Sequence, residues 1–163
     1  MIRPDPHVPL RDQDPTVLLA LTVLGEARNQ PYQGKVAVAQ VVRNRMDAKD
    51  MTVAQVVLAP WQFSSFNPGD PNLSLIQEAV AKQAGNIQPG LWEECIQAAE
   101  SALGTPREVD PTGGATHYVT IDLWASSAAK SKTPPWYSKR CVDKGITEFL
   151  IQIGMHVFAK TRF

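Results

Sequence analysis

The pattern of hydrophobic and polar positions predicts a buried helix near the start of the chain. Asp14 followed by Pro15 is typical of a helix start, because a carboxylate caps free backbone N–H groups and proline suits the first helical turn. From there, apolar residues continue with few interruptions to Ala27 and cover almost the whole circumference of a helix. A helix that is apolar on all sides belongs in the core, so we expect this one at the centre of the fold.

Four further helices are predicted from spacing and capping signals. After a turn at residues 31–34, the second helix is indicated by a stripe consisting of Val38, Val41, Val42 and Arg45. Its β-branched residues also permit a strand, although strict alternation fails where two valines adjoin. Thr52 and Gln55 have the spacing of a capping box and predict a short third helix. Two more helices are expected at about residues 73–84 and 91–103, the second ended by glycine and proline.

The two ends of the chain differ from this helical body. Four prolines in the first fifteen residues predict an extended arm. Late in the chain, turn-rich aromatic segments precede "FLIQIGMHVFAK", which could form a short strand or a helical turn. No internal repeat or linker marks a second domain. We therefore predict an arm at residues 1–15 and a single domain at residues 16–163, of the α+β class, mainly helical, with a small β element in the C-terminal half.

Composition narrows the classes of function. The chain has 163 residues, of which 44% are hydrophobic, which is enough for one sizeable core. A formal net charge of zero gives no general attraction to nucleic acid or to an anionic membrane. The longest apolar run, residues 17–24, is too short to span a bilayer, and a signal-peptide start is lacking. We expect a monomer without cofactor, nucleic-acid partner or membrane insertion, made in the cytoplasm without a signal peptide. Cys95 and Cys141 suit free thiols at least as well as a disulfide.

One carboxylate, Glu26, stands at the end of the apolar first helix. It could pair with Arg28 or with Arg45 of the second helix and have a purely structural role. It could instead be a general acid, because partial burial disfavours the charged form of a carboxylate. The segment at residues 59–72, with three prolines and three aromatics, is typical of a loop that binds a ligand.

Aromatic and polar side chains in loops are the other candidates for a site. The rings that could stack on sugars are Trp61, Phe63, Phe66, Trp136 and Tyr137, and each could also be a packing residue. Their hydrogen-bonding neighbours are Gln62, Ser64, Asn67 and Thr116. His117 follows two glycines and is expected to line a pocket, whereas His156 is expected to be structural. No metal-type spacing is present, so we expect no metal.

Four of these segments together resemble the bacterial cell-wall hydrolase family typified by spore-cortex-lytic enzymes of SleB type. "GEARNQPYQGKVAVAQVVRNRM" is similar to the family's Gly-Glu-Ala-Arg-Gly-Glu segment and the helix that follows it. "PWQFSSFN", "ATHYV" and "IGMHVFAK" resemble its Gln-Phe-Ser, Ala-Thr-His-Tyr and Ile-Gly-x-His-x-Phe motifs, in the same order. Asn29 and Gln30 depart from the usual Gly-Glu, and Val119 replaces a second histidine.

The resemblance implies a lysozyme-like fold, peptidoglycan glycan strands as the substrate and Glu26 as the catalytic acid. The substrate-binding residues that it and the loop pattern predict are Asn44, Trp61, Gln62, Phe63, Thr116, His117, Tyr118 and Trp136. No second acid adjoins Glu26 in sequence, which favours a lytic transglycosylase giving 1,6-anhydromuramic ends over a muramidase. Acids that folding could bring close are Asp47, Asp50, Asp70, Asp110 and Asp122.

Two other classes of function stay open at this point. One is a glycan-binding module without catalysis, in which Glu26 pairs with an arginine. The other, weaker one is a zinc amidase or peptidase that uses His117 and His156. A single domain without a signal peptide suits a phage endolysin, released from the host cytoplasm to act in the periplasm or cell wall.

Overall fold

The central helix predicted from the apolar run is present. The structure, a computed structural model, describes residues 2–104, 106, 109–128 and 136–162. Helix α1, Pro15–Ala27, is buried at every position from Val17 to Gly25, and the Asp14 carboxylate caps it by accepting from the N–H groups of Thr16 and Val17. Helices α2 (Tyr32–Lys49), α3 (Val53–Val57), α4 (Pro71–Ala81) and α5 (Leu91–Gly104) pack around it.

The local signals for α2 and α3 are confirmed. Val38, Val41 and Val42 are buried on one face of α2, so the β-branched residues pack in a helix rather than in a strand. The helix ends at Asp50, whose φ of 52° is left-handed. Gln55 and Thr52 form the predicted capping box, in which each side chain accepts the other residue's backbone N–H, at 2.9 and 3.2 Å.

The C-terminal half contains one antiparallel sheet of three strands. Strand β1, His117–Thr120, is followed by helices α6 (Ile121–Ala128) and α7 (Lys139–Asp143), and then by β2 (Thr147–Ile153) and β3 (His156–Thr161). The strand order is β1-β3-β2. The apolar terminal segment is therefore a hairpin and not a helical turn. A register shift between Phe149 and Ile151 explains why it alternates poorly. The predicted α+β, mainly helical class is confirmed.

Gln30 ties the hairpin to the helical body. Its Oε1 accepts the backbone N–H of Met155 at 2.9 Å, at the turn between β2 and β3. Gly154 has φ 58°, and a Cβ there would lie 2.5 Å from the same oxygen, so the turn requires glycine. The backbone carbonyl of Gln30 accepts from Lys35, a buried lysine that also pairs with Glu94 at 3.0 Å. The sheet is thus fastened to the loop that follows Glu26.

The N-terminal residues lie against the end of the helical body. Arg3 donates to the carbonyl of Gln83 at 2.7 Å, and the indole of Trp92 donates to the carbonyl of Ile2 at 3.1 Å. The division into an arm and one domain stays a prediction. In the described ranges, no helix has the length and apolar character needed to cross a membrane. Cys95 and Cys141 are both buried and free.

Candidate active site

The Glu26 carboxylate is held by donors from two distant parts of the chain. It projects, partly buried, from the last turn of α1. Its Oε1 accepts the backbone N–H of Ser65 at 2.9 Å and lies 3.5 Å from the hydroxyl of Ser64. Its Oε2 accepts the hydroxyl of Tyr118, on β1, at 2.8 Å. The aromatic loop and the sheet therefore orient one carboxyl group from two sides.

Gly25 explains how the loop comes close enough to reach Glu26. A Cβ at Gly25 would lie 2.5 Å from the Cβ of Ser65 and 2.7 Å from its Oγ, closer than real atoms pack. Ser65 is fully buried, and its Oγ has no hydrogen-bond partner in the described part of the chain. The glycine thus allows the short 3-10 turn at Ser64–Phe66 to press against α1. That contact places the Ser65 N–H on the carboxylate.

The surroundings of Tyr118 keep its hydroxyl group protonated, so that it stays a hydrogen-bond donor. Its ring packs edge-on against His156 at 5.0 Å and lies 5.9 Å from Phe158. Burial raises the pKa of the Tyr118 phenol well above its usual value, and the charge and hydrogen bond of Glu26 raise it further. The hydroxyl consequently keeps its proton. Tyr118, predicted to bind substrate, contacts Glu26 itself.

His156 lies directly behind Tyr118. Its Nδ1 is buried and makes no hydrogen bond to the described residues. Burial lowers the pKa of His156, while the charge of Glu26 opposes that shift. A neutral ring therefore packs the tyrosine in place. Sequence reasoning assigned His156 to a structural role and did not detect its proximity to Glu26, because the two residues meet only through the sheet.

Arg45 does not pair with Glu26. Its Nε donates to the carbonyl of Thr116 at 2.6 Å, and its Nη1 lies 3.3 Å from Oε1 of Gln62. The guanidinium carbon lies 5.1 Å from the centroid of the Phe63 ring. Arg28 likewise bonds elsewhere, to Oδ1 of Asn72 at 2.6 Å. No Lys or Arg of the described chain forms an ion pair with Glu26, so the expected pairing with Arg28 or Arg45 is wrong.

The predicted aromatic residues have different environments. Phe63 is only 2% exposed and lies beneath Arg45, so its prediction as a stacking surface for sugars is wrong. Trp61 is 77% exposed and has a left-handed φ of 63°, a costly combination for a large side chain. Trp136 is half-buried, with its ring 5.0 Å from that of His117. Gln62 is exposed beside Arg45.

The segment at residues 110–117 is held by internal bonds. Asn44 donates to Asp110 and to the carbonyl of Ala115, both at 2.8 Å, and its own amide oxygen accepts from Gln40 at 3.2 Å. These bonds occupy both ends of the amide, so Asn44 positions the segment, and its contact with substrate stays a prediction.

His117 is neutral near physiological pH. Burial lowers its pKa to about 4, and the charges of Arg45 and Lys49 lower it further. Its Nδ1 lies 3.0 Å from the hydroxyl of Thr116 and 3.2 Å from that of Thr161, either of which can donate to a neutral ring. Thr116, which accepts from Arg45, and its neighbour His117 thus lie beside Arg45. The imidazole of His117 is partly exposed.

The five other acids considered as partners of Glu26 are engaged or located elsewhere. Asp47 pairs with Arg43, Asp70 caps α4, and Asp110 accepts from Thr112 and Gly114; Asp50 and Asp122 are exposed at helix ends. None of the hydrogen bonds described above joins them to Glu26. Within the ranges that the structure describes, no three His, Cys, Asp or Glu side chains are grouped as metal ligands.

The central helix, the carboxylate at its end and the small sheet facing it define an enzyme domain with a lysozyme-like fold. The chain belongs to the Cell Wall Hydrolase family, whose sequence profile matches residues 29–159. The matched range begins just after Glu26. The resemblance to SleB-type hydrolases and the predicted lysozyme-like fold are thereby confirmed.

Curated relatives and solved structures extend this similarity. The spore cortex-lytic enzyme of Oceanobacillus iheyensis is 30% identical over 91% of this chain and 42% of its own length, and that of Bacillus subtilis is 30% identical over 88% and 36%. The chain thus spans less than half the length of these relatives. The catalytic domain of Bacillus cereus SleB aligns with a TM-score of 0.57 and 26% identity, covering 90% of this chain and 89% of that one. The catalytic domain of the germination-specific lytic transglycosylase SleB from Bacillus anthracis aligns at 0.55 and 28%, covering 90% and 93%.

Proposed function

We propose that this domain cleaves the glycan strands of peptidoglycan as a lytic transglycosylase, with Glu26 as its single acid and base. The observation that carries the proposal is the Glu26 carboxyl group, oriented by Ser65 and Tyr118 and bonded to neither a basic residue nor a second acid of the described chain. The name of the similar Bacillus anthracis enzyme, a lytic transglycosylase, supports the same reaction.

The proposed reaction needs one carboxyl group in two steps. Protonated Glu26 donates its proton to O4, the oxygen that joins C1 of N-acetylmuramic acid to C4 of N-acetylglucosamine, and the C1–O4 bond breaks. The resulting carboxylate then takes the proton of the muramoyl C6 hydroxyl, whose oxygen forms the new bond to C1. The products are a 1,6-anhydromuramic end and a free 4-hydroxyl, and Glu26 regains its proton. No water is consumed.

The donors around Glu26 have a defined part in this scheme. Between the two steps the carboxylate is ionised, and the N–H of Ser65 and the hydroxyl of Tyr118 stabilise that form. Tyr118 does not supply the transferred proton, because its pKa is raised well above the usual value. It is a positioning residue, as is Ser65. The candidate groups for contact with the sugar are Trp61, Gln62, Thr116, His117 and Trp136.

Mass spectrometry of purified peptidoglycan after digestion tests the proposal. We expect muropeptides with 1,6-anhydromuramic ends, lighter by one water than their reducing counterparts. Reducing muramic ends would replace transglycosylation with hydrolysis by a muramidase and leave Glu26 as the acid. Released stem peptides would indicate an amidase instead. An unchanged sacculus to which the protein binds would indicate a glycan-binding module.

The place of action is part of the same proposal. A domain that cuts glycan strands must reach the cell wall, so we propose that it acts in the periplasm or wall after release from the cytoplasm in which it is made. The phage endolysin prediction and the monomeric state stay predictions, since the relatives described above are bacterial spore enzymes and lend no support to a phage origin.

A further inference from the structure

A small cleft adjoins Arg45 and the 59–62 loop. Its volume is about 140 Å³. Its lining includes Arg45, Lys49, Met51, Val56, Ala59 and Gln62. The floor is apolar, two of the lining side chains are cationic, and none is acidic. Such a cleft suits a short aliphatic group that carries a carboxylate.

The two cationic side chains of the cleft, Arg45 and Lys49, differ in whether other groups of the protein bind them. Arg45 is bonded to Thr116 and Gln62 and stacks on Phe63, so it is fixed in place. Lys49, in the last turn of α2, is exposed and has no ion pair with any acid of the described chain. The charge of Lys49 contributes to the lowered pKa of His117. The ammonium group therefore lies on the same side of the fold as the candidate site. An unpaired cation there is available to a ligand.

The loop beside the cleft gives a second, independent observation. Residues 59–62 contribute Ala59 and Gln62 to the lining, and Trp61 stands between them. Trp61 combines a left-handed backbone with a ring that is 77% exposed, and folding alone gains little from either feature. An exposed ring on a loop that lines a cleft is typical of a surface that a ligand covers.

The cleft is linked to the Glu26 carboxylate through Arg45, which lines the cleft and interacts electrostatically with Glu26. Phe63, which supports Arg45, immediately precedes the turn whose Ser64 and Ser65 contact Glu26. A muramoyl residue placed for cleavage at Glu26 carries its lactyl group and peptide stem sideways from the glycan strand. That stem begins with short aliphatic residues and bears carboxylates, so its chemistry matches the apolar floor and the cationic rim.

We infer that this cleft, lined by Arg45, Lys49 and Gln62, binds the peptide stem of the muramoyl residue. The inference rests on the proposed function, because it takes the glycan strand to be cut at Glu26. It makes the domain selective for strands that still carry their peptides over strands from which an amidase has removed them. Lys49 is the residue whose charge contributes this selectivity.

The test compares two substrates of matched length, un-cross-linked strands with peptide stems and the same strands after amidase treatment. We expect the wild-type kcat/KM to be about 3- to 10-fold higher on stem-bearing strands, the size of one charge-assisted contact at a partly exposed site. Lys49→Gln should bring that ratio close to one, chiefly by raising KM for stem-bearing strands. Lys49→Arg should restore it. Lys82→Gln, which alters an exposed lysine at the end of α4, should keep the wild-type ratio.

Calorimetric binding of a disaccharide with and without its peptide separates this inference from the proposed function. Tighter binding of the peptide-bearing form, weakened by Lys49→Gln, supports the cleft even if no strand is cut. Equal kcat/KM on both substrates, or a wild-type ratio that survives Lys49→Gln, overturns the stem site while transglycosylation stands. Equal binding of both disaccharides by the wild type also overturns it.

Discussion

Glu26 and Arg45 are nearby charged residues whose hydrogen-bonding surroundings are of opposite kinds. Arg45 is surrounded by acceptors and an aromatic face, namely Thr116, Gln62 and Phe63. Glu26 is surrounded by donors, from Ser65 and Tyr118. The two charges influence each other but form no ion pair, because each is satisfied by neutral groups. The carboxyl group of Glu26 is therefore not tied to a basic side chain of the described chain.

This difference shows how a fold separates a positioning charge from a reactive one. Arg45 fixes the 59–67 loop against the start of β1, and a neutral residue there would leave carbonyl and amide groups unpaired. Glu26 also joins the loop to the sheet, but only as an acceptor for neutral donors, a role that an uncharged side chain of the same shape can partly fill. Changing Glu26 should therefore affect reaction more than folding, whereas changes around it should affect its orientation.

The largest expected effect is that of Glu26→Gln. The amide keeps the shape of the side chain but cannot donate a proton to the leaving sugar or take one from the C6 hydroxyl. We expect kcat to fall by about 10⁴-fold or more, at the upper end for acid–base residues, because one group acts in both steps. The melting temperature should stay near that of the wild type, and binding of glycan strands should persist. Glu100→Gln, on the exposed face of α5, is the matched control. Lysis at near wild-type rate by Glu26→Gln would refute the assignment.

Gly25→Ala should have the next largest effect. The added methyl would lie 2.5 Å from the Cβ of Ser65, so the 64–66 turn must move and carry its N–H away from Glu26. A displacement of about 1 Å at a reacting group costs on the order of 100-fold in rate. The measurement is kcat on peptidoglycan, beside the melting temperature.

Gly104→Ala provides the control for Gly25→Ala. At this position, at the end of α5, an added Cβ would meet no atom within 4 Å. Both alanines improve helix propensity by up to about 1 kcal/mol, so the control isolates the clash. Unchanged turnover in Gly25→Ala would mean that the contact between α1 and the loop does not position Glu26.

Tyr118→Phe should give a smaller effect of the same kind. It removes the donor to Oε2 of Glu26 while keeping the ring that packs on His156. We expect kcat to fall by about tenfold with little change in KM, since one hydrogen bond to a charged group is worth about 1.5 kcal/mol at the lower end of its range. Tyr32→Phe, at the exposed start of α2, should change neither constant. A rise in KM with constant kcat would instead identify Tyr118 as a substrate contact.

The smallest expected effect concerns stability against pH. The pKa of His117 is lowered to about 4 in the folded chain, from about 6.5 in an unfolded one. Between these values the unfolded chain binds a proton that the folded chain does not, so stability falls as pH drops through this range and is constant above it. The loss is about 1–2 kcal/mol after allowance for the partly exposed ring.

Urea unfolding at a series of pH values measures this effect. His117→Gln should flatten part of the dependence between about pH 4 and 6.5, and His7→Gln, in the exposed N-terminal segment, should leave it unchanged. Stability that rises as the pH falls through this range would contradict a neutral, buried His117.

The sequence predicts the helical half of the fold because the signals there are local. The Asp14-Pro15 start, the apolar run to Ala27 and the Thr52–Gln55 capping box each act within a few residues, and all are present. The strands are harder to predict because pairing is non-local. A register shift near Phe149 disrupts the alternation in β2, and most side chains of β3 are buried, so neither strand shows a clear period of two.

The candidate site likewise has a part that local sequence signals predict and a part that depends on non-local contacts. The position of Glu26 at the end of a buried helix follows from hydrophobic pattern, and the resemblance to cell-wall hydrolases suggests its role. The partners of Glu26 are 39 and 92 residues away, so no local pattern indicates that Ser65 and Tyr118 bind it. For Phe63, a local pattern led to a wrong prediction. An aromatic in a proline-rich loop suggests exposure, and only the position of Arg45 above it reveals that it belongs to the core.

The bond between Gln30 and the hairpin turn gives a structural use to the side chain at this position, where the family that the chain resembles usually has glutamate. Here an amide oxygen of Gln30 receives the N–H of Met155, where that family usually carries glutamate. A carboxylate oxygen can accept the same N–H, so either side chain can serve as a clasp that sets the distance between the sheet and the end of α1. In this chain the bond holds the turn between β2 and β3 beside the loop that follows Glu26. A glutamate at this position has a structural use that is independent of any part in the reaction.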